Sequence, residues 1–195
     1  MKKYKDIYFK DTPDIGFIGK SIRIFENNTT IIFINKKCST VLSEEDLEAI
    51  YGKINDLLEK YDLFYLSNIF DSCSLKIYPI DKYKNIDIYP SKSPNGFYAI
   101  ASKKETWSKI VKILEGRKES ISDGLNALVS SGRFSALTSW PRIYQTNDNQ
   151  DFYPCRDETV RKKEISPEYQ LSVYYFYVSC AFFLFFLVYF PKNLL

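Results

Sequence analysis

The longest uninterrupted hydrophobic pattern in the chain lies near its C-terminus. Residues 171–190 contain no charged side chain. Apart from the tyrosines and one cysteine, the polar side chains in the run are Ser172 and Ser179. A helix rises about 1.5 Å per residue, so this run would extend about 30 Å, the thickness of a bilayer's hydrocarbon core. A buried helix of a soluble fold usually keeps a polar edge instead. The pattern therefore predicts one transmembrane helix over residues 171–190.

Aromatic and basic residues near this run predict how the helix sits in a membrane. Tyrosine rings prefer the interface, and they stand toward both ends of the run, at Tyr174, Tyr175 and Tyr177 and at Tyr189. Basic residues precede the run at Arg156, Arg161, Lys162 and Lys163, whereas Lys192 alone follows it. We expect these four preceding cations to contact lipid headgroups and to keep the N-terminal domain in the cytoplasm. The chain would then be tail-anchored, with residues 191–195 as a short tail.

Small residues in the span leave open whether the helix also associates with copies of itself. Ser172 and Ser179 lie seven positions apart, so they share one face, and Ala181 is nearby. Small residues allow helices to approach closely, but the usual spacing of four is absent here, and no ionisable group marks an ion path. Homo-oligomerisation through Ser179 and its neighbours is therefore the alternative to a simple anchor.

The first part of the chain alternates between strand-like and helix-like patterns. Residues 4–9 and 29–35 are β-branched and aromatic runs, and residues 21–25 predict a further strand that turns at Asn27 and Asn28 into a hairpin. The clearest helix follows Ser43, with apolar residues on one face at the spacing of a helix: Leu47, Ile50, Tyr51, Ile54, Leu57, Leu58 and Tyr61.

Later segments return to strands and then to helices. Strands are predicted over residues 63–69, 74–78, 85–89 and 97–101, the second and third as a hairpin whose strands both end at proline. A helix is predicted from Ser102, with Glu105 completing a capping box, to Gly116, and another over residues 118–131. We expect an α+β domain over residues 1–145, with a largely antiparallel sheet and two or three helices, then a juxtamembrane linker over 146–170.

Composition excludes several kinds of chemistry. The chain has 27 basic and 24 acidic residues, a net charge of +3, which is not the concentrated basic footprint of a nucleic-acid binder. It has no histidine, which removes Ser-His-Asp and Cys-His catalysis and mixed Cys/His zinc sites. Its four cysteines show no CxxC spacing, and we expect free thiols in a reducing cytosol. No catalytic residue, cofactor or metal ligand is predicted.

Short motifs resemble known sites only in part. The segment from Gly16 to Ser21 has two residues between its glycines where a phosphate-binding loop needs four, so a glycine turn between strands is the preferred interpretation. Residues 147–158 place oxygen-bearing side chains as a calcium loop does, but Phe152 stands where glycine is required. The acidic cluster Glu44, Glu45 and Asp46 is better explained as charge at a helix N-terminus than as a metal site.

These observations favour a module that binds or senses a protein partner at the cytoplasmic face of a membrane. One alternative is a membrane effector, of a defence or toxin type, whose tail helices assemble and disrupt the bilayer. Another is a membrane-tethered enzyme that works without histidine, from carboxylates, serine with lysine, or cysteine alone.

Overall fold

A computed structural model of the chain describes residues 4–67 and 79–146, which form an α+β domain with a mixed seven-stranded sheet and four helices. The α+β class predicted from the sequence is confirmed. In chain order the elements are β1 (Tyr4–Phe9), α1 (Ile15–Ile22), β2 (Thr30–Asn35), β3 (Cys38–Ser39), α2 (Glu44–Leu57), β4 (Leu63–Ser67), β5 (Asp81–Tyr83), β6 (Ile86–Ser91), β7 (Ala99–Lys103), α3 (Lys104–Leu114), α4 (Ile121–Ser130), β8 (Ala136–Trp140) and β9 (Gln145–Thr146).

The large sheet has the strand order β1-β2-β7-β4-β8-β6-β5, and β3 pairs with β9 in a separate two-stranded sheet. Strands β1 and β2 are parallel, as are β4 and β8, while the other pairs in the large sheet are antiparallel. Among the described strands, four pairs of this sheet are antiparallel and two are parallel, so the sheet is mixed. Since β2 and β4 both run opposite to β7, strands β1, β2, β4 and β8 all point the same way.

Each face of the sheet supports its own hydrophobic core. One core joins α1, α3 and α4 to alternate residues of the central strands, and Trp107 is the largest fully buried side chain in it. The Trp107 indole packs edge-on against Phe33 and donates a hydrogen bond to the carbonyl of Ile31 at 3.3 Å. The other core packs α2, through Ile50, Ile54 and their neighbours, on the opposite face. Because strand residues alternate between faces, both faces are apolar along the central strands.

Helix α2 begins where the sequence predicts. Ser43 is its N-cap and its side chain accepts a hydrogen bond from the amide of Asp46 at 3.1 Å. Ile50, Tyr51 and Ile54 are buried on the face that the periodicity predicts. Helices α3 and α4 are also confirmed, and Gly116 and Gly132, which follow them, have the positive φ angles of 80° and 72° that favour glycine after a helix end.

The predicted start of α3 is wrong. Ser102 belongs to β7, and its hydroxyl donates to the carbonyl of Asp62 instead of capping a helix. Helix α3 begins at Lys104, and its N-cap, Lys103, makes no side-chain capping bond. The strand continues directly into the helix. Pairing of Ser102 with Ile31 in the sheet outweighs the local preference of a serine for the helix N-cap position.

The predicted hairpin over residues 21–35 is also wrong. Residues 15–22 form helix α1, which Asp14 caps by accepting a hydrogen bond from the amide of Phe17. The parallel pairing of β1 with β2 requires a crossover, and α1 supplies it. Ile18 and Ile22, four residues apart, bury the inner face of this helix. Helix α1 brings the number of helices among the described residues to four, where the sequence predicts two or three in the domain.

The strand predicted over residues 85–89 is confirmed as part of β6, but its neighbours differ from those expected. Asp87 pairs with Lys82 of β5 on one side and with Trp140 of β8 on the other. Strand β5 is therefore the hairpin partner of β6. The segment 74–78, predicted as that partner, lies outside the described residues.

Among residues 4–67 and 79–146, no helix has the length and hydrophobicity needed to cross a membrane. The predicted span over 171–190, the short tail and the linker beyond Thr146 lie outside the described residues.

Candidate functional site

The ends of the parallel strands bring polar residues together at one edge of the large sheet. Strands β1, β2, β4 and β8 all finish at this edge, which we call the carboxyl edge. Strand β7 starts there, immediately after Tyr98, and the small β3–β9 sheet follows from β2 and β8. Open sheets with parallel strands commonly bind ligands beyond this edge, because the loops leave the strands there.

A β-bulge in β4 determines where Ser67 lies. Phe64 and Tyr65 pair with Ala101 and Ile100 of β7, so an uninterrupted register would place Leu66 opposite Ala99. The observed partner of Ala99 is Ser67. Residues paired across a sheet share a face, and Ala99 belongs to the core under α2. The bulge therefore puts Ser67 on the same face as Leu66, which alternation alone would not allow.

Ser139 reaches the same face from the neighbouring strand. It pairs with Ile88 of β6, which is part of the core under α2. The chain then passes through the cis Trp140–Pro141 peptide bond and crosses the end of β4. There the amides of Ile143 and Tyr144 both donate to the carbonyl of Leu66, at 3.2 Å each. These bonds hold the segment that carries Arg142 beside the residue preceding Ser67.

The hydroxyls of Ser67 and Ser139 are buried without a partner. The two residues are 0% and 1% exposed, and neither hydroxyl has a hydrogen-bond partner within residues 4–67 and 79–146. A buried polar group without a hydrogen bond costs about 1–3 kcal/mol. Such groups are uncommon in folded proteins and often mark a water, an ion or a ligand site.

Arg142 and Cys38 complete this group of residues, which we call the edge cluster: Cys38, Ser67, Ser139 and Arg142. Arg142 is 9% exposed, and burial lowers its pKa to about 10, so the guanidinium still carries its charge at neutral pH. The Cys38 thiol lies 3.9 Å from the carbonyl of Tyr98. Burial raises the pKa of this thiol to about 11, although the charge of Arg142 acts in the opposite direction. Cys38 is therefore a neutral thiol at pH 7.

A pair of tyrosines borders the edge cluster. The hydroxyls of Tyr51 on α2 and Tyr144 share a short hydrogen bond in the interior. Burial, with the negative charge of Asp6 adding to it, raises the pKa of both phenols, that of Tyr144 to about 12.

The edge cluster contains a guanidinium, two hydroxyls and a thiol, all of which can donate hydrogen bonds. A guanidinium offers several N–H donors in a fixed plane, and hydroxyls donate or accept as the ligand requires. Across residues 4–67 and 79–146 there is no group of three or more cysteine or carboxylate side chains able to hold a metal ion. Within the described residues, neither Ser67 nor Ser139 is hydrogen-bonded to a base that would activate it as a nucleophile.

The site residues predicted from the sequence all lie outside the described residues. They are the interfacial and span positions Tyr174, Tyr175, Tyr177, Ser179 and Tyr189, and the basic positions Arg156, Arg161, Lys162 and Lys163. The calcium-like segment over residues 147–158 lies outside as well. The domain structure therefore bears on none of these positions.

The structure shows where two of the short motifs lie. The segment from Gly16 to Ser21 lies inside helix α1 and is not the glycine turn that was predicted. Asp46, at the N-terminus of α2, pairs with Lys84 and accepts a hydrogen bond from the Tyr83 hydroxyl at 3.2 Å. The acidic cluster therefore includes a contact from α2 to the β5–β6 hairpin, in addition to its place at the positive end of the helix.

Sequence inspection missed the edge cluster because its residues come from three separated segments of the chain. Strand β8, which carries Ser139, is a short run of mixed residues and was not predicted. The bulge at Ser67 depends on pairing with β7, which no local pattern reveals. The one local signal was Arg142, a charged residue between Trp140 and Ile143 directly after Pro141.

Comparison with known proteins adds no assignment: no protein-family model and no curated protein matches this chain.

Proposed function

We propose that this chain is a single-pass, tail-anchored membrane protein whose α+β domain binds a partner at the cytoplasmic face. The observation that carries the proposal is the run over residues 171–190, which has no charged side chain. Burying such a run in hydrocarbon is favourable, and its length matches the bilayer. The basic residues Arg156, Arg161, Lys162 and Lys163 favour the cytoplasmic side for the domain.

Binding fits the domain better than catalysis does. The edge cluster combines a buried guanidinium with two hydroxyls, which is suited to recognising a ligand or a charged group of a protein. Its thiol is neutral at physiological pH and is a weak nucleophile in that state. The tail would hold the binding event at the membrane, so that a partner is recruited there.

The test compares where the full chain resides when its span is altered. Membranes from cells that express the chain are washed with alkaline carbonate, which strips proteins bound only to the surface. The double variant Val178→Lys, Phe183→Lys places two cations in the middle of the span, each costing roughly 3 kcal/mol in a membrane. Its matched control, Val178→Leu, Phe183→Leu, preserves hydrophobicity.

We expect the parent chain and the leucine variant to stay in the washed membrane and the lysine variant to leave it. A parent chain found in the soluble fraction as a monomer contradicts the proposal. If all three behave alike, residues 171–190 are not the anchor.

The face shared by Ser172 and Ser179 supports a second candidate, in which the helices assemble and permeabilise the bilayer. Release of a trapped dye from vesicles that contain the parent chain would favour this effector. Retention of the dye, with the chain inserted, would favour the anchor.

A further inference from the structure

We propose that two copies of this chain associate through strand β1, so that their large sheets join into one continuous sheet. Strand β1 is the terminal strand of the large sheet, and among the described strands β2 alone pairs with it. It is six residues long, contains no proline and keeps an unbroken register with β2, whereas β5 at the opposite end has three residues. A long terminal strand without such interruptions is a template for pairing with another chain. This surface belongs to the domain and does not depend on the membrane proposal.

Exposed hydrophobic side chains flank the outer side of β1. Helix α1 packs against α3 at Gly19, where an added Cβ would lie 3.3 Å from Val111. Phe17 is turned about 200° around the helix from Gly19, so it lies on the flank away from α3. Because α3 follows β7, which lies beyond β2, that flank is the one above β1. Phe17 is 38% exposed, Ile24 in the turn after α1 is 82% exposed, and Tyr8 on β1 itself is 53% exposed.

The pairing of β1 with β2 determines which backbone groups of β1 point outward. The carbonyl of Phe9 accepts a hydrogen bond from the amide of Lys36 at 2.8 Å, so it points toward β2. Backbone groups alternate in direction along a strand, and those of Tyr8 therefore point away from β2. A twofold axis perpendicular to the sheet would bring two copies of β1 together antiparallel, with such outward groups exchanging hydrogen bonds.

The side chains of β1 favour one register of this pairing. With the axis at Ile7, the two Ile7 side chains face each other, and Asp6 lies opposite Tyr8 of the second copy. Centring the axis on Lys5 or on Asp6 would set two like charges directly opposite each other, which destabilises a sheet. Centring it on Tyr8 would pair three residues of each strand, where the axis at Ile7 pairs five. The charges of β1 are thus compatible with a second copy in the register that pairs the most residues of the other three.

The same axis brings the exposed side chains of α1 together. Helix α1 starts beyond the end of β1 and finishes before the start of β2, so it runs opposite to both strands. Phe17 of one copy would then face Ile24 of the second copy, above the paired Ile7 residues. A surface that meets itself in this way is the usual kind of interface in a twofold dimer.

The first experiment is a cysteine cross-link in the full chain, in a neutral detergent, with the four native cysteines replaced by alanine. The two Ile7 residues would form a pair whose Cα atoms lie about 4.5 Å apart, within reach of a disulfide. We expect I7C to form a covalent dimer under mild oxidation. K5C is the matched control on the same strand and face, because its two copies would lie roughly 13 Å apart and should not cross-link.

The second experiment removes the outward amide at Tyr8. Proline is tolerated in a terminal strand where the N–H points away from the sheet, so Y8P should fold yet lack a donor to the second copy. Y8V keeps the amide and is the matched control. Sedimentation of the full chain over a range of concentrations measures the dimer dissociation constant. We expect Y8P to raise this constant about tenfold or more, since two hydrogen bonds are lost per dimer, and Y8V to raise it less than about threefold.

Three results overturn the proposal. A parent chain that stays monomeric would indicate that another segment of the same chain covers β1. A dimer in which I7C does not cross-link and Y8P has no effect would be held by the tail helices instead. Equal cross-linking of I7C and K5C would reflect collision without a defined register. If Y8P fails to fold, the comparison of I7C with K5C still decides.

Discussion

Ser67 lies opposite Ala99 in the sheet, one residue later than the pairing of Tyr65 with Ile100 would place it. This shift carries a hydroxyl onto a face that is otherwise packed by Leu66, Ile54 and other apolar side chains. The domain thus keeps a polar group where a hydrophobic one would fit its surroundings better. Proteins commonly retain such local costs at sites of function.

The first prediction concerns the stability of the free domain. S67A and S139A should each raise the free energy of unfolding by about 1 kcal/mol, because each removes a buried hydroxyl that has no partner among the described residues. Urea denaturation monitored by tryptophan fluorescence measures this in the full chain in detergent. S102A is the matched control: its hydroxyl is equally buried but donates to the Asp62 carbonyl, so this variant should lose about 1 kcal/mol. Equal losses in all three variants would refute the assignment of Ser67 and Ser139 as unpartnered.

The second prediction concerns two glycines in helices. A Cβ added at Gly52 in α2 meets no atom within 4 Å, so G52A should stabilise the protein by about 0.5–1 kcal/mol through helix propensity. A Cβ added at Gly124 in α4 would lie 2.9 Å from both methyl groups of Leu114, which is buried. G124A should therefore destabilise by roughly 1 kcal/mol, since overpacking outweighs the gain in propensity. A stabilising G124A would show that the Leu114 side chain moves aside at little cost.

The third prediction is a pH dependence from Cys38. Burial raises the thiol pKa to about 11 from 9.0. A group whose pKa is raised by folding stabilises the protein fully below its unfolded pKa, and that contribution is lost as pH rises through the folded pKa. The stability difference between the parent chain and C38A should thus fall between about pH 9 and pH 11, by on the order of 1 kcal/mol after allowance for solvent screening.

The comparison with C38A isolates the thiol because Arg142 and Tyr144 are present in both proteins. Denaturation curves at several pH values from 8 to about 11 suffice. A constant difference across that window would mean that the thiol is as accessible to solvent in the folded state as in the unfolded state.

The fourth prediction concerns the hydrogen bond between Tyr51 and Tyr144, which links α2 to the segment after β8. Y51F and Y144F should each cost about 1–3 kcal/mol, because each leaves one buried hydroxyl unpaired. The double variant should cost less than the sum of the two, and the size of the difference gives the coupling. Y8F, at a residue that is 53% exposed, should change stability by less than about 0.5 kcal/mol. Additive losses in the double variant would contradict a direct bond.

The sequence predicts those parts of the fold in which local preference and tertiary packing agree. Helix α2 has a serine cap, an acidic first turn and a regular apolar face, and all three are present in the domain. Helix α1 was missed because Gly16 and Gly19 weaken its local preference, although Gly19 brings the helix close to Val111 of α3. Ser102 resembles a helix cap locally but pairs within β7, so tertiary contacts decide its role.

The edge cluster was harder to predict than the fold. Ser67 acquires its position from a bulge, and a bulge is defined by pairing with a strand some thirty residues further along the chain. Ser139 and Arg142 are close in sequence to each other but not to Ser67 or Cys38. Physical proximity across such separations follows from the strand order, which hydrophobic periodicity does not encode.

The most direct test of the membrane account is the fragment that survives protease treatment of sealed vesicles with their cytoplasmic face outward. The full chain carries a C-terminal epitope tag for detection. We expect the protease to remove the α+β domain and to leave a small tagged fragment that contains residues 171–190, shielded by the bilayer. Complete digestion of the tagged end in intact vesicles, or protection of the domain, would contradict the proposed anchor or its orientation.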